Sequence, residues 1–287
     1  MKNPISVALV VTLLAATAPS GEHAGAAGFD AAVAQQRVDL SFANGTFGGP
    51  GAAVIAKAVA GAQYVMIGED HGIAEIPAFS TALCTAIAPQ GFDALALEVG
   101  PSTAAVLTSA LGSADPSAAV AAYDAKHPFS IAFYDFTEEY AFLRACRDAV
   151  GPKRFALWGL DQELTGSSSA LLAAALASAS TADERSALRQ LIAQDDTAFA
   201  NAMKSGDPAD MAMVKFDLLH DKRADFGFMM PFFRNLGTTP VLYDLRALRS
   251  PFVRSGMASV NLERVIDGYD LLVVIPVAHP SHQVSTP

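Results

Sequence analysis

The sequence is poor in charged residues and contains no basic run. Only 17% of its 287 residues are charged, against roughly 25% in an average soluble domain. There are 19 Lys and Arg residues and 29 Asp and Glu residues, which leaves a formal net charge of −10. Nucleic-acid binding requires a basic face, and no stretch of this chain supplies one. We therefore expect no nucleic-acid partner.

Cysteine is also scarce. The chain has two cysteines, Cys84 and Cys146, which are far apart and form no Cys-x-x-Cys pair. This count excludes a disulfide-rich scaffold and a structural zinc site built on cysteines. A disulfide between the two and a pair of buried free thiols both fit the sequence, and both stay open.

Common catalytic motifs are missing as well. There is no Gly-x-Ser-x-Gly, no His-Glu-x-x-His and no Walker loop. A serine hydrolase of the nucleophile-elbow type is therefore unsupported. Hydrophobic residues make up 52% of the chain, which is ample for a buried core and argues against disorder.

The longest apolar run lies at the N-terminus. It extends over Pro4–Ala18 after Lys2, which is typical of a secretory signal peptide and short for a membrane span. Ala24-Gly25-Ala26 offers a small-x-small cleavage site. We expect residues 1–26 to be a signal peptide and residues 27–287 to form a single periplasmic or secreted domain, with an uncleaved anchor as the alternative. No second run reaches membrane length, so we expect no membrane span in the mature chain.

Short apolar runs then alternate with helical stretches. The runs, which are typical of buried strands, are Tyr64–Gly68, Ala94–Leu97, Phe155–Leu160, Met213–Phe216, Val241–Tyr243 and Leu271–Ile275. The helical stretches are Ala52–Ala60, Ala74–Ala88, Thr103–Leu111, Glu138–Val150 and the Ala-rich Ser168–Met203. This alternation predicts an α/β fold: a mostly parallel sheet with helices on both faces and an Ala-rich helical insertion at about residues 165–210.

Most of the predicted strands end in a carboxylate or an imidazole. Glu69 and His71 follow the first, Glu98 follows the second, and Asp161 and His220 follow later ones. Ligand sites of parallel sheets form at the carboxyl ends of the strands, so we expect these side chains to line a cleft. An imidazole beside carboxylates suits a general base that takes a proton from water.

Each of these residues also has a structural interpretation. His71 and Asp161 could each cap the helix that follows. Glu98 could form a salt bridge with an arginine. His220 and Arg223 are spaced to share one face of a first helical turn. There they would either bind an anionic or carbonyl group or remain an exposed helix start.

A second pair of histidines lies close to the C-terminus. The spacing of His279-Pro280-Ser281-His282 can ligate a metal. The proline and the nearness of the chain end favour a solvated, frayed tail instead.

Four motifs, taken together and in order, resemble the erythromycin esterase family. The resemblance covers roughly residues 62–276 and is carried by Gly68–Glu75, Leu97-Glu98, Gly159–Gln162 and Asp244–Arg246. The combination is fairly specific, although each motif alone is not.

The resemblance implies hydrolysis of an ester or lactone in a small molecule, with no covalent enzyme intermediate and no required cofactor. His71 would be the base that activates water, and Glu69 and Glu98 would support it. The second histidine across the cleft would be His220. Residues expected to contact the substrate are Arg223, Asp161 and Glu75.

Two other functions stay open. Glu69, His71, Glu98 and His220 are mixed carboxylate and imidazole ligands, which suit a divalent metal such as zinc, manganese or iron. A metal- or haem-binding protein is therefore one alternative, and a non-catalytic relative that binds a ligand is the other.

Overall fold

The chain forms two compact units. The computed structural model describes residues 6–12, 24–69, 71–131, 133–163, 166–205, 232, 235–252, 266–277 and 279–282. Unit 1 comprises Met1–Phe92, Ala145–Val150 and Ala224–Ser281. Unit 2 comprises Asp93–Arg144, Gly151–Arg223 and His282–Pro287.

Strands and helices alternate along much of the described chain. The strands are β1 (Ser6–Thr12), β2 (Arg37–Asp39), β3 (Tyr64–Glu69), β4 (Ala94–Leu97), β5 (Ala156–Gly159), β6 (Val241–Asp244) and β7 (Leu271–Val274). The helices are α1 (Ala24–Gln36), α2 (Pro50–Val59), α3 (Glu75–Ile87), α4 (Pro101–Leu111), α5 (Pro116–Lys126), α6 (Thr137–Val150), α7 (Ser167–Ser178), α8 (Ala182–Ser205) and α9 (Arg246–Phe252).

Local sequence explains where several helices begin. Pro50, Pro101 and Pro116 stand at the first position of α2, α4 and α5, where a missing N–H costs nothing and the fixed φ suits a helix. The side chain of Asp115 accepts a hydrogen bond from the Ala118 backbone N–H at 3.1 Å and caps α5.

Unit 1 contains a five-stranded sheet in the order β2-β6-β7-β1-β3. β1 pairs in parallel with both β3 and β7, whereas β6 is antiparallel to β7 and to β2. The segment that the sequence predicts to be part of a leader thus contributes a strand between β7 and β3.

Side chains of β6 and β7 alternate between two hydrophobic cores, as the pleat requires. Leu242, Leu271 and Val273 pack with α2 and α3 into the first core, which contains Leu40, Phe42, Ile55, Ala58, Val59, Ile76, Phe79, Ala82, Leu83 and Ile275. Val241, Tyr243, Leu272 and Val274 pack with α1 and α9 into the second core, which contains Phe29, Val33, Phe232, Leu245, Leu248 and Ile266. Every residue of β7 is buried, which explains why its sequence is a continuous apolar run.

A disulfide between Cys84 and Cys146 adds a covalent link in unit 1, with the two Cα atoms 5.3 Å apart. Cys84 lies in α3 and Cys146 in the last turns of α6. The bond spans 62 positions of sequence. The sequence left open a disulfide and a pair of free thiols, and the structure contains the disulfide.

Unit 2 contains a parallel pair of strands, β4 and β5, in register from Ala94 opposite Ala156 to Leu97 opposite Gly159. Both carboxylate oxygens of Glu163 lie at the N-terminus of α4. They accept hydrogen bonds from the Ser102 N–H at 2.5 Å and from the Thr103 hydroxyl at 2.8 Å. A carboxylate at this position satisfies helix N–H groups and complements the helix dipole.

Gly100, just before α4, makes this contact possible. A Cβ atom at Gly100 would lie 2.1 Å from the Glu163 carboxyl carbon, so a side chain there would push Glu163 off the helix end.

The mixed helix-and-strand class that the sequence predicts is confirmed. The described strands form two small sheets, and their pairings include both parallel and antiparallel ones. The predicted strand Met213–Phe216 lies outside the described residues. α7 and α8 lie in the stretch where the sequence predicts an insertion and pack against each other.

Within the described ranges, no helix combines the length and the apolar character that a membrane span needs.

Candidate functional site

The loop after β3 carries the motif with the sharpest sequence signal. Glu69 is the last residue of β3, and Asp70 lies outside the described residues. His71 follows, half-buried, and Gly72 then turns the chain with φ at 74°. This left-handed conformation is strained for a residue with a Cβ, which explains a glycine at this turn, three positions before α3 begins.

The segment after β7 pairs with this loop. Ile73 and Pro280 form an isolated antiparallel bridge. The Ala74 N–H donates to the His279 carbonyl at 2.9 Å, and the Ser281 N–H donates to the Gly72 carbonyl at 3.0 Å. The prediction of a frayed tail is therefore wrong for these residues, because backbone hydrogen bonds hold them to the loop that contains His71.

Glu75, the first residue of α3, binds His279 through both carboxylate oxygens. Its Oε1 lies 2.5 Å from the His279 Nδ1, and its Oε2 accepts the His279 backbone N–H at 3.0 Å. The imidazole is 69% exposed, whereas the Glu75 side chain is 21% exposed. The carboxylate thus holds the ring at Nδ1, and most of the ring is exposed to solvent.

The charge of Glu75 follows from these contacts. Burial alone would raise the pKa of Glu75, but the hydrogen bonds from the side chain and backbone N–H of His279 lower the pKa below its usual 4.5. A carboxyl group whose pKa is lower in the folded state than in the unfolded state stabilises the fold at pH values above the unfolded-state pKa. That contribution is lost as the pH falls below about 4.5, through the lowered pKa of the folded state.

Unit 2 contains a pair of the same design. Glu138, in the first turn of α6, places Oε1 2.6 Å from the His282 Nδ1, and its Oε2 accepts the His282 N–H at 2.8 Å. Burial alone would raise the pKa of Glu138, and the hydrogen bonds from His282 lower it overall. The His282 ring is 77% exposed. His282 is therefore bound by its carboxylate as His279 is.

The Asp244–Arg246 part of the family-like pattern forms a bidentate ion pair at the end of β6. Arg246 donates through Nε to Oδ1 at 2.8 Å and through Nη2 to Oδ2 at 2.6 Å. Burial alone would raise the pKa of Asp244, but these hydrogen bonds and the charge of Arg246 lower it overall. This geometry supports a structural role, because both carboxylate oxygens are occupied.

The other predicted site residues are distributed differently. Glu98 and Asp161 belong to unit 2, where they follow β4 and β5, and both are exposed. Asp161 Oδ1 accepts the Gln162 N–H at 2.7 Å. Asp161 does not cap the next helix, since α7 begins at Ser167 after Gly166. His220 and Arg223 lie outside the described residues, so the four-residue cleft with Glu69, His71 and Glu98 stays a prediction.

The structure therefore brings together three of the titratable residues that the sequence singles out: His71 by backbone position, and Glu75 and His279 by direct contact. Glu75, expected to contact substrate, instead uses both oxygens on His279. Sequence reasoning missed this pair because its members are 204 positions apart. The only available signal was the His-x-x-His spacing of the tail.

A buried imidazole in unit 2 was also missed. His127 is 8% exposed, and its Nδ1 lies 2.9 Å from the Ser169 hydroxyl. Burial lowers the pKa of His127, and the charge of Lys126 lowers it further. A neutral imidazole with one hydroxyl partner is a satisfied interior residue.

Within the part of the chain that the structure describes, no group of three or more His, Cys, Asp or Glu side chains is arranged to hold a metal ion. The proposed metal set includes His220, which is outside that part, so the set as a whole stays a prediction.

Comparisons with protein-family models, with curated protein sequences and with solved structures find no match to this chain.

Proposed function

We propose that this protein is a hydrolase that cleaves an ester or lactone in a small molecule with an imidazole-activated water. The observation that carries the proposal is the bridge between the tail and the β3 loop. It places the carboxylate-bound imidazole of His279 beside the loop that contains His71. Two imidazoles and a carboxylate around one turn supply the groups that proton transfer in ester hydrolysis needs.

In the proposed mechanism His71 takes a proton from water, and the resulting hydroxide attacks the carbonyl carbon. Glu69 and Glu98 keep the supporting role that the resemblance to erythromycin esterases implies, and His220 or Arg223 would stabilise the oxyanion. The mostly parallel sheet predicted from the strand pattern remains part of the same proposal.

A panel of esters and lactones tests this function. We expect the purified protein to hydrolyse at least one class, with a rate that a chelator leaves unchanged within about twofold, because the mechanism needs only the positioned imidazole and water. Loss of activity with chelator, restored by added zinc or manganese, would favour the metal-dependent alternative. Binding of a panel compound without turnover would favour the non-catalytic relative.

We also propose that the protein is exported after removal of its leader. The Cys84–Cys146 disulfide supports export, because disulfides persist in oxidising compartments such as the periplasm. N-terminal sequencing of protein from the periplasm or medium should return a start between Pro19 and Gly28. A start at Met1 would contradict cleavage and would mean that the exported chain keeps β1.

A further inference from the structure

We propose that β3 and β7 pair directly with each other in the exported protein, so that the leader is a removable strand of the sheet. The inference rests on the leader cleavage proposed above and goes beyond it, because it concerns the sheet once Ser6–Thr12 is gone. Cleavage between Pro19 and Gly28 removes β1, which lies between β7 and β3 in unit 1. The mature sheet then has the order β2-β6-β7-β3.

The two strands already run in the same direction and in the same phase. β1 is parallel to β3 on one side and to β7 on the other. Leu9 lies opposite Ile67 in the first pairing and opposite Leu271 in the second. Removing the middle strand and closing the gap therefore brings Ile67 opposite Leu271, and neither strand has to reverse or turn over.

The faces of the two strands also match. Val65 and Ile67 of β3 pack against the first hydrophobic core, to which Leu271 and Val273 of β7 belong. Because side chains alternate between the two faces of a strand, a pairing shifted by one residue would turn the β3 side chains away from that core. The register with Ile67 opposite Leu271 keeps all four side chains on the core side.

An open gap beside β7 would be unfavourable. Every residue of β7 is buried, and β1 pairs with β7 from Leu9 opposite Leu271 to Thr12 opposite Val274. Loss of β1 leaves the backbone groups on that side of β7 without their partners, and a buried backbone group without a hydrogen bond is destabilising. A parallel β3 can supply the same kind of hydrogen bonds as β1.

The chain segments that follow the two strands are already joined. Ile73 and Pro280 form an antiparallel bridge, and the Ser281 N–H donates to the Gly72 carbonyl at 3.0 Å. The loop after β3 and the segment after β7 are thus hydrogen-bonded to each other although β1 separates the strands themselves. Closing the gap moves β3 toward a strand to which its own following loop is already attached.

The new pairing changes the surroundings of the candidate site. In the full-length chain Glu69 lies opposite Val11 of the leader strand, whereas in the mature sheet it lies opposite Val273. β3 moves by one strand spacing, about 5 Å, and carries with it the start of the loop that contains His71. Removal of the leader is therefore a step in the assembly of this site as well as a step in export.

Disulfide trapping tests the pairing. We would place Ile67→Cys/Leu271→Cys in the full-length chain, made by cell-free synthesis so that the leader stays, and in the mature chain purified from the periplasm. Across β1 the two Cα atoms are two strand spacings apart, about 10 Å, whereas neighbouring strands lie about 5 Å apart. A disulfide needs Cα atoms within about 7 Å, so oxidation should link positions 67 and 271 at least roughly tenfold more completely in the mature chain. Peptide mapping measures the link.

A control pair and a measurement without substitutions complete the test. Leu242→Cys/Val273→Cys is the matched control, because these two buried residues lie opposite each other on β6 and β7. It should crosslink equally in both chains. In the wild-type proteins, amide hydrogen exchange in β3 and β7 should have rates that agree within about twofold between the mature and the full-length chain.

Each outcome decides the proposal. A mature chain that crosslinks no better than the full-length chain, while the control pair crosslinks in both, would overturn the direct pairing and leave the cleavage standing. If the paired cysteine variant does not fold, the exchange of the wild-type protein decides: fast exchange in β3 and β7 of the mature chain would mean that the gap stays open. Exported protein that starts at Met1 would reject the cleavage itself, and this inference with it.

Discussion

Replacing His71 by alanine is expected to lower kcat/KM by about 100- to 10,000-fold, with activated and unactivated esters alike. In the proposed mechanism His71 activates water before the leaving group departs, so the loss in rate should not depend on the alcohol. Folding should be almost unchanged, because His71 is half-buried on the loop after β3 and its truncation to alanine removes little buried apolar surface. Ester assays and a thermal melt of the same preparation measure both effects.

A fall in melting temperature of more than about 5 °C with His71→Ala, together with unchanged specific activity of the folded fraction, would make His71 a structural residue of the turn. Loss of bound metal together with activity would instead identify His71 as a metal ligand.

Much of the secondary structure could be predicted, because hydrophobic period and helix-start signals are local. The run at Tyr64–Gly68 becomes β3, and Leu271–Ile275 becomes β7, each within one or two residues. The strand β7 could be predicted because both of its faces pack against a hydrophobic core, so that every position in the strand is apolar. α3 and α6 were readable from their periodic apolar positions.

The N-terminal run could not be assigned from sequence alone. A short apolar segment fits a signal peptide and a buried strand equally well, since both are selected only for hydrophobicity. In the structure Ser6–Thr12 pairs on both sides, with β3 and with β7. Cleavage of the leader would leave those two strands, which run parallel to each other, without the strand between them, so the N-terminal sequence of the mature protein also decides the order of this sheet.

The candidate site was only partly predictable, because its best-defined contact joins distant parts of the chain. The loop with His71 stood out through its bracketing glycines, and Gly72 does adopt the positive φ that such a turn requires. The partner of Glu75 could not be read from spacing, since nothing local distinguishes an imidazole bound to a helix start from one in a solvated tail. The same holds for Glu163, which binds the start of α4 from 60 residues away.

Removing the disulfide is expected to cost about 4 kcal/mol in the free energy of unfolding. Cys84 and Cys146 are separated by 62 positions, and the loop-entropy relation gives about this value for a closed loop of that length. For a chain of this size the loss corresponds to a fall in melting temperature of about 8–16 °C. The double variant Cys84→Ser/Cys146→Ser, compared with the oxidised wild type by calorimetry, measures it.

Reduced wild-type protein is the matched control, because it opens the bond and keeps both side chains in place. Reduction should reproduce most of the loss, whereas a melting temperature unchanged by reduction would show that the bond does not stabilise the native state. Activity at 25 °C should survive, since Cys84 lies nine residues after Glu75 in α3, about 13 Å along the helix axis at 1.5 Å per residue. The crosslink would then stabilise the protein against unfolding, whereas the geometry around His279 would depend on the hydrogen bonds at the other end of α3.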